Sequence, residues 1–171
     1  IHMLAHSTGG NIGLRYLIDY PDDFKTASFS APLLGVYGLA NLSERFVMRL
    51  VKLLNNFSNS YVPGGKDWRG TERKSDGTDK YSSDPARDAI TNAWYEADPS
   101  LQGGSPTIQW LYESYLSMDI LKKKTSLEKI KTPCLFAIPE QDTIVCSKES
   151  RNFAEKISSA IILDLENSKH E

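Results

Sequence analysis

Cysteine, histidine and long apolar runs are all scarce in this chain of 171 residues, which contains two cysteines and three histidines. Cys134 and Cys146 show neither a metal-ligand spacing nor a disulfide framework, which favours reduced thiols in the cytoplasm and no metal site. No apolar run approaches the roughly 18 residues of a membrane span. The formal net charge of −2 gives no reason to expect a nucleic-acid partner. With 40% hydrophobic residues, the chain can still bury a sizeable core.

One serine close to the start of the chain is surrounded by small residues. An apolar run at 1–4 leads through Ala5 to Ser7, and a helix-like pattern follows Gly9. A strand, a sharp turn and a helix with serine at the apex form a nucleophile elbow, whose strained turn brings backbone segments close together. The positions two before and two after the serine should then be small, as Ala5 and Gly9 are. A glycine-rich turn without any chemistry explains the same residues.

Apolar patterns divide the chain into a sheet and an insertion. Four buried strands are predicted, at 1–6, 26–31, 133–138 and 160–165. Helical patterns follow the first and third strands, and strand–helix–strand units build parallel sheets. We therefore expect an α/β core formed by 1–34 and 126–171, with a helical cap inserted at 35–125.

The cap pattern predicts three helices and one long mobile loop. Residues 43–57 are amphipathic, with one side formed by Phe46, Val47, Leu50, Val51 and Leu54 and the other by Arg45, Arg49 and Lys52. Asp84-Pro85 predicts the start of a helix that runs to about Ala97. Ser105-Pro106 predicts another, with a buried face formed by Ile108, Leu111, Tyr112, Tyr115 and Leu116. The polar stretch 58–84 is the predicted loop.

A nucleophilic serine needs a base, and the base needs an acid that orients it. In sheets of this kind the acid follows a later strand and the histidine follows the last one. His170 has that position, whereas His2 and His6 precede the serine and cannot easily turn back onto it. For the acid, Asp142 is favoured over Glu140 because it lies deeper in the loop after the third strand, while Asp164 falls inside a strand. The ordered trio of Ser7, Asp142 and His170 predicts a catalytic triad.

Several segments resemble the α/β-hydrolase superfamily of serine hydrolases. They are Ala5-His6-Ser7-Thr8-Gly9-Gly10, Ser30-Ala31-Pro32-Leu33-Leu34-Gly35, Glu140-Gln141-Asp142-Thr143-Ile144-Val145 and Lys169-His170-Glu171. The cap segments 97–100 and 103–107, with Trp110 and Glu113-Ser114, are similar to the lysophospholipase L2 and monoacylglycerol-lipase-like branch. The chain departs from the superfamily at Ala5, where glycine is usual.

The resemblance implies a role for each matching residue. Ser7 would be the nucleophile, Asp142 the acid and His170 the base, with the backbone N–H of Thr8 as an oxyanion donor. It also implies that the chain corresponds to the C-terminal part of the fold, so that the N-terminal half with the second oxyanion donor is missing. No metal or organic cofactor is implied.

The implied activity is hydrolysis of a lipid ester, lysophospholipid or monoacylglycerol, through an acyl-enzyme. Arg45, Arg49 and Lys52 could meet lipid headgroups, giving a peripheral membrane contact, although a solvated cap face explains the same charges. Alternatives on the same scaffold are a small-ester esterase or a prolyl-type aminopeptidase. A hydrolase-like fragment without catalysis is the alternative from another class.

Overall fold

The sheet has four parallel strands in the order in which they occur along the chain. The structure is a computed structural model that describes residues 1–39, 42–54, 58–70 and 73–171. The strands are β1 (His2–His6), β2 (Thr26–Ser30), β3 (Cys134–Pro139) and β4 (Ala160–Leu165). Each predicted strand is confirmed to within one residue at either end. All four carboxyl ends therefore meet at one edge of the sheet, where loops from distant parts of the chain come together.

Two helices cover one face of this sheet. α1 (Thr8–Asp19) connects β1 to β2, and α6 (Ser147–Ala154) connects β3 to β4. The apolar core between helices and strands includes Leu17 of α1, Phe153 of α6 and a line of aromatic rings across the sheet. The ring centroids of Phe29 and Phe136 are 5.3 Å apart, and those of Phe136 and Phe153 are 6.2 Å apart. This burial fixes the strands, and with them the loops at their ends.

The opposite face of the sheet carries exposed apolar side chains. Leu4 of β1 is 81% exposed, and Ile161 and Leu163 of β4 are 67% and 48% exposed. Because strand side chains alternate between faces, these residues are the neighbours of the buried ones. The two faces of one sheet thus differ sharply in burial.

The cap contains α2 (Glu44–Leu53), α3 (Pro85–Ala97), α4 (Ile108–Leu121) and the short α5 (Lys124–Leu127). A second apolar cluster, separate from that of the sheet, joins Val47 and Val51 of α2 to Ile108, Tyr115 and Met118 of α4. Leu121, the last residue of α4, belongs to the cluster of the sheet. The two clusters support a division into core and cap, while the boundaries at 34 and 126 stay a prediction. The chain's tryptophans are Trp68, Trp94 and Trp110, all inside the cap segment.

The apolar side predicted for α2 and the buried face predicted for α4 are each only partly buried. In α2, Val47 and Val51 are buried, but Phe46 and Leu50 are 54% and 46% exposed. The reason is that α4 contacts only a narrow side of α2, and residues one position along the helix point about 100° away from that side. The helix ends at Leu53, and residues 55–57 of the predicted amphipathic stretch lie outside the described residues.

The structure confirms one helix start and corrects another. The side chain of Asp84 accepts hydrogen bonds from the N–H groups of Ala86 and Arg87, as its predicted capping role requires. α4 instead begins after Thr107, whose hydroxyl accepts from the N–H of Trp110. Ser105 is engaged elsewhere, because its hydroxyl accepts from the N–H of Lys66. On the buried face of α4, Ser114 and Met118 are buried, whereas Leu111, Tyr112 and Leu116 are only half-buried.

The segment 58–84 contains no helix or strand in its described part, as predicted for a loop. It is nevertheless not solvated throughout, because it buries Arg73, Asp79 and Ser82. Across the described residues, every helix falls short of the length and apolar character needed to cross a bilayer.

Candidate active site

Ser7 occupies a strained turn between β1 and α1. Its φ of 52° and ψ of −122° lie where residues other than glycine are rarely found. Two hydrogen bonds to the segment around the end of β2 hold this turn. The N–H of Ser7 donates to the carbonyl of Ser30 at 3.0 Å, and the carbonyl of Ser7 accepts from the N–H of Leu33 at 2.9 Å. The backbone is thereby fixed so that the hydroxyl projects from the carboxyl end of the sheet.

The close approach that demands glycine occurs at Gly10 rather than at the predicted Gly9. A Cβ atom on Gly10 would lie 2.8 Å from Cβ of Pro32, whereas one on Gly9 would meet nothing within 4 Å. The crowding arises because the first turn of α1 crosses the segment that follows β2. Ala5, which stands where glycine is usual, is partly buried against the core of the sheet. The elbow therefore accommodates alanine at that position.

Asp142 lies in the loop after β3 and is only 4% exposed. Its Oδ1 accepts hydrogen bonds from the N–H groups of Ile144 at 2.7 Å and Val145 at 2.9 Å. Its Oδ2 is left to face His170. The two other acids considered from the sequence are placed differently. Glu140 is exposed in the same loop, and Asp164 lies on β4, where it pairs with Arg151 of α6.

His170 joins the other two side chains in one hydrogen-bonded line. Its Nδ1 lies 2.7 Å from Oδ2 of Asp142, and its Nε2 lies 2.9 Å from Oγ of Ser7. A carboxylate can only accept, so Nδ1 carries the proton in this arrangement and Nε2 presents its lone pair to the serine hydroxyl. The histidine is 4% exposed, which keeps competing water away from the line. The structure thus brings together all three side chains predicted as a triad.

Thr8 is the first residue of α1, a helix of 12 residues. Backbone N–H groups of the first helical turn have no carbonyl partner inside the helix, and they lie at its positive end. The N–H of Thr8 immediately follows the serine and is suited to stabilise a negative oxygen that forms there.

His6 is a neighbour of the site that the sequence did not predict. Its ring centroid lies 4.8 Å from that of His170, so it contacts the histidine rather than the serine. Partial burial lowers the pKa of His6, and the nearby His170 lowers it further. A neutral His6 places no second positive charge beside a protonated His170. Its position directly before Ser7 is the signal that could have revealed it, since β1 aims its last residue at the same edge.

The residues on both sides of His170 also have partners that the sequence did not reveal. The ammonium of Lys169 donates to backbone carbonyls of the cap loop, including that of Gly77. The carboxylate of Glu171 accepts from the guanidinium of Arg73. Both partners lie about 90 to 100 residues earlier in the chain.

A parallel sheet, a strained serine at a strand-to-helix turn and a buried histidine and aspartate beyond the later strands define the α/β-hydrolase class. Comparison with protein families agrees. The chain belongs to the Hydrolase_4 family, described as serine aminopeptidase, S33, whose model matches residues 1–170.

Three relatives and solved structures illustrate the similarity. A probable lysophospholipase L2 of Haemophilus influenzae is 24% identical over 171 residues, covering 99% of this chain and 52% of that protein. A soluble variant of monoglyceride lipase from Saccharomyces cerevisiae, in complex with a substrate analog, has a TM-score of 0.69 at 20% identity, covering 99% and 56%. A monoacylglycerol lipase of Paleococcus ferrophilus has a TM-score of 0.67 at 19% identity, covering 99% and 60%. The chain spans about half the length of the curated relatives it matches.

Proposed function

We propose that this chain provides the triad of a serine hydrolase that cleaves carboxylic esters of lipids, with lysophospholipid or monoacylglycerol as substrate. The observation that carries the proposal is the line from Ser7 Oγ through His170 to Asp142, with contacts of 2.9 and 2.7 Å. Similar proteins named above, a probable lysophospholipase and two monoacylglycerol or monoglyceride lipases, support a lipid ester as the substrate.

Acylation would begin when Nε2 of His170 takes the proton of Ser7 as Oγ attacks the ester carbonyl. Asp142 keeps Nδ1 protonated and stabilises the imidazolium that forms. The N–H of Thr8 donates to the oxyanion, a contribution of ~10²–10³ in turnover for one such donor. The imidazolium then protonates the leaving alcohol, and the acyl group remains on Ser7. Water repeats the sequence, with His170 as base, and releases the fatty acid.

The exposed side of α2 supports a membrane contact as part of this function. Leu42, Phe46, Leu50 and Leu53 are 43%, 54%, 46% and 80% exposed and recur at helical spacing. Arg45, Arg49 and Lys52 lie one position before the last three of them and are exposed as well. An apolar stripe beside a basic stripe fits the surface of an anionic bilayer, where apolar side chains enter the interface and cations meet headgroups. Substrate dissolved in that bilayer would then lie close to the cap.

A labelling experiment on the full-length gene product tests the catalytic proposal. A fluorophosphonate should attach covalently to Ser7, and Ser7→Ala should abolish labelling. Hydrolysis rates on a lysophospholipid, a monoacylglycerol, a short-chain ester and an aminoacyl-proline substrate then identify the substrate class. Preference for the aminoacyl-proline substrate would instead support the aminopeptidase activity that the family description names. A well-folded protein that neither labels nor hydrolyses any of the four substrates would contradict catalysis.

A further inference from the structure

We propose that cap residues 73–84 form a clasp that positions His170 by holding the residues on both sides of it, with Lys169 and Arg73 as positioning residues. The inference rests on the proposed function, in which His170 is the base. It goes further by assigning a catalytic contribution to a part of the cap that contacts neither Ser7 nor Asp142 in the hydrogen bonds described above.

Lys169 forms the first half of the clasp. Its Nζ donates to the carbonyls of Gly77 at 3.2 Å and Ser82 at 3.4 Å, and also to the carbonyl of Asp79. An ammonium has three N–H donors, so this loop satisfies all of them with backbone oxygens. The side chain directly before His170 is thereby anchored to three points on a single cap segment.

Glu171 forms the second half. Its backbone N–H donates to the carbonyl of Tyr81 at 2.8 Å. Its carboxylate accepts from both terminal nitrogens of Arg73, at 3.3 and 2.8 Å. Paired bonds between a guanidinium and a carboxylate fix orientation as well as distance. His170 is therefore held between two residues whose positions are set by the cap.

Arg73 connects the clasp to the body of the cap. Its side chain is 6% exposed and donates to Asp88 of α3 at 2.7 Å, while its Nε lies 3.5 Å from Asp79. Although burial acts in the opposite direction, the hydrogen bonds that Arg73 donates to the carboxylates of Glu171 and Asp88 raise its pKa above the ordinary value. One guanidinium thus serves three carboxylates. Because burying such a group carries a desolvation cost for each ion, stability alone is a poor reason for it, and a demand for fixed geometry is a better one.

Tyr81 fills the space between this ion cluster and the histidine. The Cζ atom of Arg73 lies 4.6 Å from the ring centroid of Tyr81, and the ring of His170 meets Tyr81 edge-on at 6.2 Å. Asp79 fixes the loop on either side by accepting from the N–H groups of Lys74 at 2.8 Å and Tyr81 at 2.7 Å. A shift of the clasp would therefore reach the imidazole through its ring contact as well as through its neighbours.

The other two triad members have supports of their own. Asp142 is held by two N–H groups of its own loop, and Ser7 by the segment that follows β2. Loosening the clasp should therefore misplace His170 alone. Because proton transfer depends on the distance from Nε2 to Oγ, a displacement of about 1 Å can cost ~10²-fold in rate.

The first test compares Lys169→Met with Lys129→Met in the full-length gene product. Methionine is one heavy atom shorter than lysine, is apolar and has no N–H donors, and Lys129 is an exposed lysine outside the clasp. We expect Lys169→Met to lower kcat on a short-chain ester by roughly 10- to 100-fold with KM nearly unchanged. Lys129→Met should match the parent protein, and Lys169→Arg, which keeps donors and charge, should recover most of the loss. Unchanged kcat in Lys169→Met would overturn the proposal.

A double-mutant cycle separates positioning from general support of the fold. If Lys169 acts through His170, adding Lys169→Met to His170→Ala should leave the residual rate unchanged, because residues that act as a unit are not additive. An equal further loss in the double mutant would show a structural role and reject positioning. Should Lys169→Met fail to fold, Glu171→Gln keeps the shape of its side chain and the backbone bond to Tyr81 while weakening the ion pair, and the same cycle applies.

A spectroscopic arm keeps this inference distinct from the proposed function. The proton on Nδ1 of His170, shared with Asp142, should give a downfield NMR signal in the parent protein and in Lys129→Met. In Lys169→Met the signal should shift or broaden. That change in a protein that hydrolyses no ester would support the clasp and reject the hydrolase proposal. An unchanged signal in a Lys169→Met protein that still hydrolyses esters would support the hydrolase proposal and reject the clasp.

Discussion

The sheet and one segment of the cap bury different kinds of side chain, although the cap also has an apolar cluster of its own. In the sheet, rings such as Phe29 and Phe136 meet across neighbouring strands, and the contact depends on apolar area rather than on direction. In the cap, the segment 73–88 buries Arg73, Asp79 and Asp88, whose bonds require defined angles and distances. The buried ions of the cap therefore depend on direction as well as on distance. We expect the chemistry to depend on core loops and its fine placement to depend on the cap.

The largest expected effect concerns the core. Ser7→Ala and His170→Ala should each lower kcat by ~10⁶ without unfolding the protein, and Asp142→Asn by ~10⁴. The matched control is Glu140→Gln, an exposed acid in the same loop as Asp142. Steady-state kinetics with a circular-dichroism check of folding measures both. Near-normal turnover in Asp142→Asn would move the role of the acid to Glu140.

The next effect concerns the buried ions of the cap. Arg73→Ala leaves Asp79, Asp88 and Glu171 without their shared cation, and breaking a buried pair of this kind costs about 3–5 kcal/mol of unfolding free energy. Lys123→Ala removes an exposed pair with Asp119 and should cost no more than about 1 kcal/mol. Urea unfolding followed by circular dichroism measures both values. Equal losses would show that the buried ions of the cap contribute no more to stability than an exposed pair does.

The elbow allows a comparison between adjacent glycines. Gly10→Ala would force a Cβ to within 2.8 Å of Pro32 and should destabilise the protein by about 1–3 kcal/mol. Gly9→Ala meets open space and should be neutral or slightly stabilising, since alanine favours helix. The melting temperatures of the two variants, compared with that of the parent protein, measure the difference. A greater loss from Gly9→Ala would restore the pattern expected from the sequence.

The smallest effect per residue concerns the exposed side of α2. Reversing Arg45, Arg49 and Lys52 to Glu should weaken binding to anionic vesicles by about 1 kcal/mol per residue, fading with salt, and should spare activity on a soluble short-chain ester. Reversing the exposed Lys124, Lys129 and Lys131 gives a control with the same change of net charge. Vesicle sedimentation at low and high salt measures the difference. Equal binding by both triple variants would leave α2 as an ordinary solvated face.

The sequence predicted the features that depend on neighbours along the chain. Strand positions follow from apolar runs, and the N-cap of α3 from Asp84-Pro85. The three side chains of the predicted triad could be chosen because parallel strands place their following loops at one edge. Their hydrogen-bonded line could not be predicted, because it depends on side-chain geometry that no pattern encodes.

Contacts between distant segments account for what was missed. Gly10 is crowded by Pro32, and the sequence holds no sign of that meeting. Phe46 and Leu50 fit an apolar stripe, yet only the width of the contact with α4 decides which members are buried. The pair of Arg73 and Glu171 joins residues 98 positions apart, and nothing local marks either of them.

The placement of the three tryptophans gives the molecule an intrinsic fluorescence probe. All of them lie in the cap segment, where Trp94 and Trp110 are 65% and 36% exposed and the ring centroid of Trp68 lies 4.6 Å from that of Tyr95 in a tilted contact. The sheet has none, so tryptophan emission, excited at a wavelength that tyrosine does not absorb, reports on the environment of the cap segment alone. Quenching by acrylamide should be strong for Trp94 and weak for Trp68. Any change in the environment of the cap segment could therefore be followed in time without attaching a dye.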